Sequence, residues 1–218
     1  GVLVLAAELR SFVLAEGADV AQRVLALPER FPCLRSARLD PAWLGRSARL
    51  DVAMRRALGN AVRQGRPAGL LGEDGTLFTA PAGLYPEARA TLEIDGADEG
   101  QLQGLAAYLD ALSGLPGLPS PLESMRFLSV YDGWEVRLRD GTKVLWGNLG
   151  WTSEKIEKLR GVLADAGERW SGALTAALSA NGKTARSKDG GPLTADMRYF
   201  EDGRVLLRTL PENRFPTR

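Results

Sequence analysis

The sequence predicts an α+β fold, in which a small N-terminal domain precedes an antiparallel β domain backed by helices. Three Asp-Gly turns between apolar runs predict β-hairpins, and apolar residues at helical spacing predict helices between them. The 218 residues are 44% hydrophobic and 25% charged, which is typical of a folded chain with one large domain or two small ones. We expect domains at residues 1–83 and 84–218, because a turn-rich stretch ends at Gly83.

The first thirty residues hold one ambiguous segment and one predicted helix. The apolar stretch 2–7 is either a buried strand or the outer end of a membrane anchor, and six residues do not distinguish the two. Residues 19–31 predict a helix, with Asp19 as its N-cap and Pro28 at its end. Its apolar residues at helical spacing are Val20, Val24 and Leu27.

Two further helices are predicted in the second half of the chain. Asp98 opens one over residues 98–112, and Thr152 opens another over residues 152–166, ended by Gly167. Their apolar stripes are Leu102, Leu105, Leu109 and Leu112 in the first, and Ile156, Leu159 and Leu163 in the second. Helical spacing continues over residues 168–180, before a polar loop at 181–192.

An arginine-rich stretch covers residues 35–66, with eight Arg against Asp40 and Asp51. Leu50, Val52 and Met54 alternate with more polar residues, which predicts a half-buried strand. Few aromatic residues are interleaved, and the net charge of the whole chain is only +1. We therefore favour a solvated sheet face over a nucleic-acid surface for this stretch.

The Asp-Gly turns at Asp74, Asp140 and Asp202 leave the register of each hairpin open. A three-residue loop that ends in a left-handed glycine places the apolar residues on one face in the middle and last hairpins. The predicted pairs in the middle hairpin are Trp134 with Trp146 and Val136 with Val144. Those in the last hairpin are Tyr199 with Val205, Met197 with Leu207 and Asp196 with Arg208.

The final strand, Arg204–Leu210, is predicted to be a sheet edge, because Pro211 and Pro216 prevent a further strand. Val205, Leu206 and Leu207 carry no charge to blunt that edge. Such an apolar edge is either covered within the molecule or docks a strand from another chain.

The chain contains no histidine and one cysteine, so Ser-His-Asp and Cys-His triads, histidine metal sites and internal disulfides are excluded. We interpret Cys33 as a small buried residue. Residues 181–184 resemble the end of a phosphate-binding loop, but Ala177 stands where the first glycine is required.

Other polar and aromatic clusters favour structural roles over catalysis. We interpret Asp196, Glu201 and Asp202 as turn formers and solvent-facing charges. Trp134, Trp146 and Trp151 are interpreted as core or rim aromatics. We therefore predict no catalytic residue, no metal site and no cofactor.

Several segments together resemble the FtsQ/DivIB family of bacterial cell-division proteins, which are anchored in the inner membrane. These are Gly133–Gly147, a following helix rich in Lys and Leu, and Ala195–Tyr199 before a short last strand. Residues 20–80 are similar to the back half of the POTRA module of that family. The likeness extends in order from about residue 20 to about residue 210.

The resemblance implies a non-catalytic divisome scaffold, with a POTRA-like domain at 1–83 and a β domain at 84–218. It also implies a periplasmic location and a membrane anchor before residue 1. The implied partner is a coiled-coil division protein similar to FtsB, which travels with FtsL, and not a nucleic acid. The implied partner-binding residues are Arg198, Tyr199, Gly203, Val205, Leu206, Leu207 and Arg208.

In this interpretation the partner adds a β-strand to the last hairpin, and we expect proline at Leu206 to remove an edge donor. Two alternatives remain open at this point. One is a POTRA-type module of a polypeptide-transport or envelope-assembly system. The other is a cell-envelope enzyme that uses Ser/Lys or carboxylate chemistry.

Overall fold

A computed structural model describes residues 2–14, 19–41, 48–88, 90–114, 118–164 and 193–209. In this described part the chain forms four α-helices, a two-stranded sheet and a nine-stranded mixed sheet. The α+β class is therefore confirmed. The polar loop at 181–192 and the helical spacing at 168–180 lie outside the described residues.

The N-terminal part packs two helices, α1 (Val2–Leu14) and α2 (Val20–Arg30), near the small sheet of β1 (Leu34–Pro41) and β2 (Ala48–Met54). These two strands pair antiparallel. They and the helices share an apolar cluster, whose helical members are Leu5, Leu9, Val13, Val24 and Leu27. The strand predicted through Leu50, Val52 and Met54 is confirmed as β2, but its predicted buried face is not complete, because Val52 is 38% exposed.

Helix α2 has the predicted N-cap, because the Asp19 carboxylate accepts a hydrogen bond from the Ala21 N–H at 2.9 Å. Pro28 does not end this helix, which continues to Arg30. The Phe31 N–H still reaches the Leu27 carbonyl at 2.8 Å, so the last turn tolerates proline. Residues 2–7 are helical, so a buried strand there is wrong.

The larger sheet has the strand order β11-β10-β9-β8-β7-β6-β3-β4-β5 in the part of the chain that the structure describes. Its strands are β3 (Ala57–Arg63), β4 (Arg66–Gly72), β5 (Leu77–Phe78), β6 (Thr91–Glu93), β7 (Leu122–Ser129), β8 (Gly133–Leu138), β9 (Lys143–Gly147), β10 (Leu193–Asp196) and β11 (Leu206–Thr209). The expectation of a purely antiparallel sheet is wrong, because β3 and β6, β6 and β7, and β9 and β10 pair parallel. Each parallel pair needs a long crossover, which local periodicity does not reveal.

Helices α3 (Glu99–Gly114) and α4 (152–164) cover one face of this sheet. Asp98 caps α3 reciprocally with Gln101, since the side-chain oxygen of each residue accepts a hydrogen bond from the main-chain N–H of the other. The predicted helical stripes are confirmed: Leu102, Leu105, Leu109, Ile156 and Leu159 are buried in the main core.

Pairing is continuous from β5 through β4, β3 and β6, although β5 and β6 lie on opposite sides of the predicted division at residue 83. The change from the small sheet to the large one comes between β2 and β3. The division into domains at residue 83 stays a prediction. None of the helices in the described ranges is long and apolar enough to cross a membrane.

The middle hairpin has the predicted three-residue loop. The Leu138 N–H bonds the Thr142 carbonyl at 2.9 Å, and Val136 pairs with Val144. The expected pair of Trp134 with Trp146 is wrong, because a bulge sets Trp134 opposite Gly147. Both indole rings are nevertheless buried in the main core.

The predicted register of the last hairpin is wrong by two residues. Ala195 pairs with Leu207 and Asp196 pairs with Leu206, so Tyr199 and Val205 belong to the connection. A 3₁₀ helix, Phe200–Asp202, occupies that connection and ends at Gly203. The apolar parity is preserved, because a shift of two residues returns each side chain to the same face.

Candidate partner-docking edge

Strand β11 is the terminal strand of the larger sheet, and within the described residues no strand pairs with its outer side. The direction of its main-chain groups follows from its neighbour β10. The Met197 N–H donates to the Leu145 carbonyl of β9 at 2.8 Å, so Met197 and, two residues earlier, Ala195 face β9. Thr194 and Asp196, which alternate with them, direct their main-chain groups toward β11.

Arg208 and Leu206, the register partners of Thr194 and Asp196, are thus the residues of β11 that bond to β10. Leu207 and Thr209 direct their N–H and C=O groups away from the sheet. The expectation that proline at Leu206 would remove an edge donor is therefore wrong. The N–H of Leu206 faces inward, and the outward donors are those of Leu207 and Thr209.

The side chains of this strand divide between two faces. Val205 and Leu207 pack against the main core, whereas Leu206 is 40% exposed on the opposite face. The Arg208 main chain pairs with Thr194, and its side chain lies outside the described part. An added strand would find one apolar side chain, Leu206, on its accessible face.

Arg198 is held by two carboxylates. Its Nε and Nη2 atoms donate to Asp196 at 3.0 and 2.8 Å, and its Nη1 donates to Asp132 at 2.6 Å. The hydrogen bonds to Asp196, with partial burial acting against them and with Asp132 adding to them, raise the pKa of this guanidinium. Because the guanidinium is engaged on two sides, the geometry favours a supporting role for Arg198 over direct contact with a partner.

Asp196 itself is 1% exposed, so its interpretation as a solvent-facing turn residue is wrong. Its carboxylate can be buried at the edge of the sheet because Arg198 supplies a hydrogen-bond donor to each of its two oxygens, which offsets the loss of solvation. Glu201 and Asp202 are exposed, as expected, and belong to the 3₁₀ helix.

Tyr199 is the exposed aromatic residue of this edge, with 48% of its surface accessible. The Arg198 guanidinium lies 5.9 Å from the centre of the Tyr199 ring, a cation–π distance. The Arg204 N–H bonds the Tyr199 carbonyl at 3.2 Å, and Gly203 adopts φ +72° at the end of the 3₁₀ helix. The connection therefore presents the ring beside the start of β11.

Gly147 packs directly against the main chain of the connection between β10 and β11. It has φ +77°, and a Cβ atom there would lie 3.1 Å from the Arg198 Cα, so a larger residue would displace that main chain. Beyond it, the Asn148 amide donates to the Glu201 carboxylate at 3.1 Å. The end of β9 is thus in contact with the start and the middle of the connection.

Four residues of this region were not identified from the sequence: Asp132, Gly147, Asn148 and Lys155. Asp132 lies 66 residues from Arg198 along the chain. Asp132, Gly147 and Asn148 contact the last hairpin from segments distant in sequence, and Lys155 contacts the end of β9 from the next helix, so no local motif marks these contacts.

The other candidates do not form a site with this edge. Cys33 is buried as predicted, and burial raises the pKa of its thiol. Trp134 and Trp146 belong to the core, and Trp151 is 57% exposed. The described residues contain no group of three or more potential metal ligands among His, Cys, Asp and Glu. Residues 181–184 lie outside the described ranges.

Arginines of the 35–66 stretch make ion pairs with carboxylates. Arg35 contacts Glu73 at 2.8 Å, Arg55 contacts Asp74 at 2.5 Å, and Arg56 contacts Asp110. These pairs connect β1 and the residues just before β3 with the turn between β4 and β5 and with helix α3.

The chain matches no protein-family model, and no curated protein matches it either.

Proposed function

We propose that this chain is a non-catalytic, FtsQ-like division scaffold that recruits a coiled-coil partner by strand addition along β11. In this proposal it acts outside the cytoplasm, as the periplasmic part of a protein anchored in the inner membrane. The partner is of the FtsB type and brings the FtsL type with it.

The observation that carries the proposal is the outward direction of the Leu207 and Thr209 main-chain groups on the terminal strand. An extended segment placed there would gain backbone hydrogen bonds along β11. Leu206 and Tyr199, both substantially exposed, would supply side-chain contacts beside those bonds.

The N-terminal part is compatible with the POTRA-like assignment. Helices α1 and α2 share one apolar cluster with the small antiparallel sheet of β1 and β2. A compact helix-and-sheet unit of this kind would act as a spacer or as a second recruitment surface beside the larger sheet.

A matched pair of variants tests strand addition at β11. Leu207→Pro removes the outward N–H of that residue together with its core packing, and Leu207→Ala removes only the packing. We expect Leu207→Pro to abolish binding of the purified FtsB-type protein of the same organism. Leu207→Ala should keep most of that binding, since it retains the amide.

Isothermal titration calorimetry would measure both variants, and circular dichroism would establish that each is folded. Equal binding by the two variants would rule out a backbone contact at Leu207. No binding of that partner by the unmodified chain would reject the proposed function itself.

A further inference from the structure

Lys155, in α4, is a buried amine with an unusual set of partners. Only 2% of the residue is exposed. Its Nζ lies 3.1 Å from the Trp146 carbonyl oxygen, 2.8 Å from the Asn148 carbonyl oxygen and 3.1 Å from Asn148 Oδ1. An ammonium has three donors, so these contacts use all of them.

Buried charges normally pair with an opposite charge, because desolvation is otherwise costly. The hydrogen-bond acceptors of Lys155 among the described residues are all uncharged oxygens at the end of β9. Its Nζ also lies 5.8 Å from the centre of the Trp146 ring. Because Lys155 directs all of its donors to oxygens of one short turn, we expect it to fix the position of that turn.

The turn that Lys155 holds is in contact with the connection of the last hairpin at two points. Gly147 lies beneath the Arg198 main chain, and the Asn148 side-chain amide donates to Glu201 at 3.1 Å. One residue earlier, the Leu145 carbonyl accepts from Met197. A displacement of residues 146–148 would therefore shift residues 197–201 through these contacts.

We infer that Lys155 is a positioning residue, whose ammonium fixes the Trp146–Asn148 turn and thereby the connection that presents Arg198 and Tyr199 beside β11. The consequence for partner binding rests on the proposed function. The mechanical coupling itself does not, because it concerns only contacts within this chain.

The coupling depends on protonation, since a neutral amine has only two N–H groups for three acceptors. Burial lowers the pKa of the Lys155 ammonium to about 8, and Glu201 acts in the opposite direction. The other titratable group nearby is Tyr108 of α3, whose ring packs on Trp146 at 5.3 Å and whose own pKa is raised by burial. Glu154, Glu157 and Lys158 of α4 are exposed.

Carbonyl ¹³C chemical shifts of Trp146 and Asn148 test the first step. In the unmodified chain, both shifts should titrate together with the Lys155 side-chain carbons, with a midpoint near pH 8. The titration should disappear in Lys155→Met and persist in Lys158→Met, an exposed control on the same helix. Carbonyl shifts that titrate in the same way in Lys155→Met and in the unmodified chain would overturn the inference.

Amide hydrogen exchange tests the second step. Loss of one charge-assisted hydrogen bond corresponds to a factor of about 10 in a local opening equilibrium. We therefore expect exchange of the Met197, Gly203 and Arg204 amides to accelerate by about that factor in Lys155→Met, with Lys158→Met unchanged. Unaltered exchange at these three amides would overturn the inference.

Asn148→Ala keeps the test valid if Lys155→Met does not fold. Asn148 is exposed, and this variant removes the Glu201 link and one of the three acceptors. Exchange in the connection should rise, while the two carbonyl contacts of Lys155 persist. If exchange in the connection does not rise, the link from the turn to the connection is absent and the inference fails.

These measurements need no partner, so they separate the two proposals. A chain that passes both tests and binds no FtsB-type protein would retain the role of Lys155 and lose the proposed function. A chain that binds such a protein equally well with methionine at position 155 would retain the proposed function without this positional control.

Discussion

The three Asp-Gly turns of this chain fold in two different ways. At Asp74 and Asp140 the loop has three residues, and the carboxylate accepts a hydrogen bond from the N–H two residues later, at 3.0 and 2.8 Å. At Asp202 the aspartate instead lies in a 3₁₀ helix, Phe200–Asp202, and the strands begin further away. The first two turns continue with threonine and the third with arginine.

Asp-Gly therefore specifies the left-handed glycine and not the register. Gly75, Gly141 and Gly203 all adopt positive φ, at +79°, +87° and +72°. The register of the last hairpin depends instead on the turn directly after β10. The Asp196 carboxylate favours that turn, because it accepts from the main-chain N–H of Arg198 at 3.2 Å as well as from its guanidinium, and the turn lengthens the connection.

Removal of the buried carboxylate of the last hairpin should destabilise the chain most. Asp196→Ala removes the charge-assisted hydrogen bonds of Arg198 to a buried carboxylate and leaves it the half-exposed Asp132, which should cost about 3 kcal/mol. Asp140→Ala, in the middle hairpin, removes one part-buried turn contact and should cost about 1 kcal/mol. Urea unfolding monitored by fluorescence would compare them, and equal costs would contradict this account of the register.

Next in size is a comparison of two glycines. Both Gly141 and Gly147 have positive φ, which costs a non-glycine residue about 1–2 kcal/mol. A Cβ at Gly141 meets nothing within 4 Å, whereas a Cβ at Gly147 meets the Arg198 main chain. We expect alanine at 147 to destabilise the fold more than alanine at 141 in the same urea assay. The reverse order would show that the contact of Gly147 with Arg198 is loose.

The third effect is a pH dependence of stability caused by Lys155, which supports the connection of the last hairpin and has no counterpart at the other two turns among the described residues. The folded pKa of Lys155, about 8, lies below its ordinary value of 10.5, so between these values the unfolded chain binds more protons. Stability should therefore rise with pH in this window, by at most about 1.4 kcal/mol per pH unit for one proton, relative to Lys155→Met. Urea unfolding at about pH 7.5, about pH 8.5 and about pH 9.5 would measure the free energy of unfolding of the unmodified chain relative to Lys155→Met. A difference that stays constant or falls with rising pH would contradict the prediction.

The smallest effect on stability is expected at Tyr199. Its ring is largely outside the core, so Tyr199→Ala should change the free energy of unfolding by less than about 0.5 kcal/mol. The same variant should weaken binding of the FtsB-type partner in calorimetry. A large loss of stability without loss of binding would reverse the roles assigned to Tyr199 and Arg198.

The parts of the fold that the sequence predicts are those decided within a few residues. The caps at Asp19 and Asp98, the stripes of α3 and α4, and the middle hairpin loop all depend on neighbours along the chain. The missed features depend on distant segments. Examples are the bulge where Gly133 meets Gly147, the parallel pairing of β9 with β10, and the bond from Arg198 to Asp132.

The sequence predicts that the last strand is a sheet edge, but it does not predict which of the N–H groups of that strand point outward. Predicting a last strand requires only the prolines that follow it, whereas the direction of each amide requires the register against β10. A register error of an even number of residues preserves the faces of the side chains, and thus the apolar pattern could not detect it.

The parallel pairing of β10 with β9 has a consequence for how the chain assembles. Thr194 lies beside Lys143, so β10 reaches its place only after the intervening residues have crossed over the sheet. Until then β9 is the margin of the sheet, and its Leu145 carbonyl lacks the Met197 N–H that it accepts in the folded chain. The chain must first capture an extended segment of its own, and a competing segment from another molecule at that stage would give a misassembled dimer.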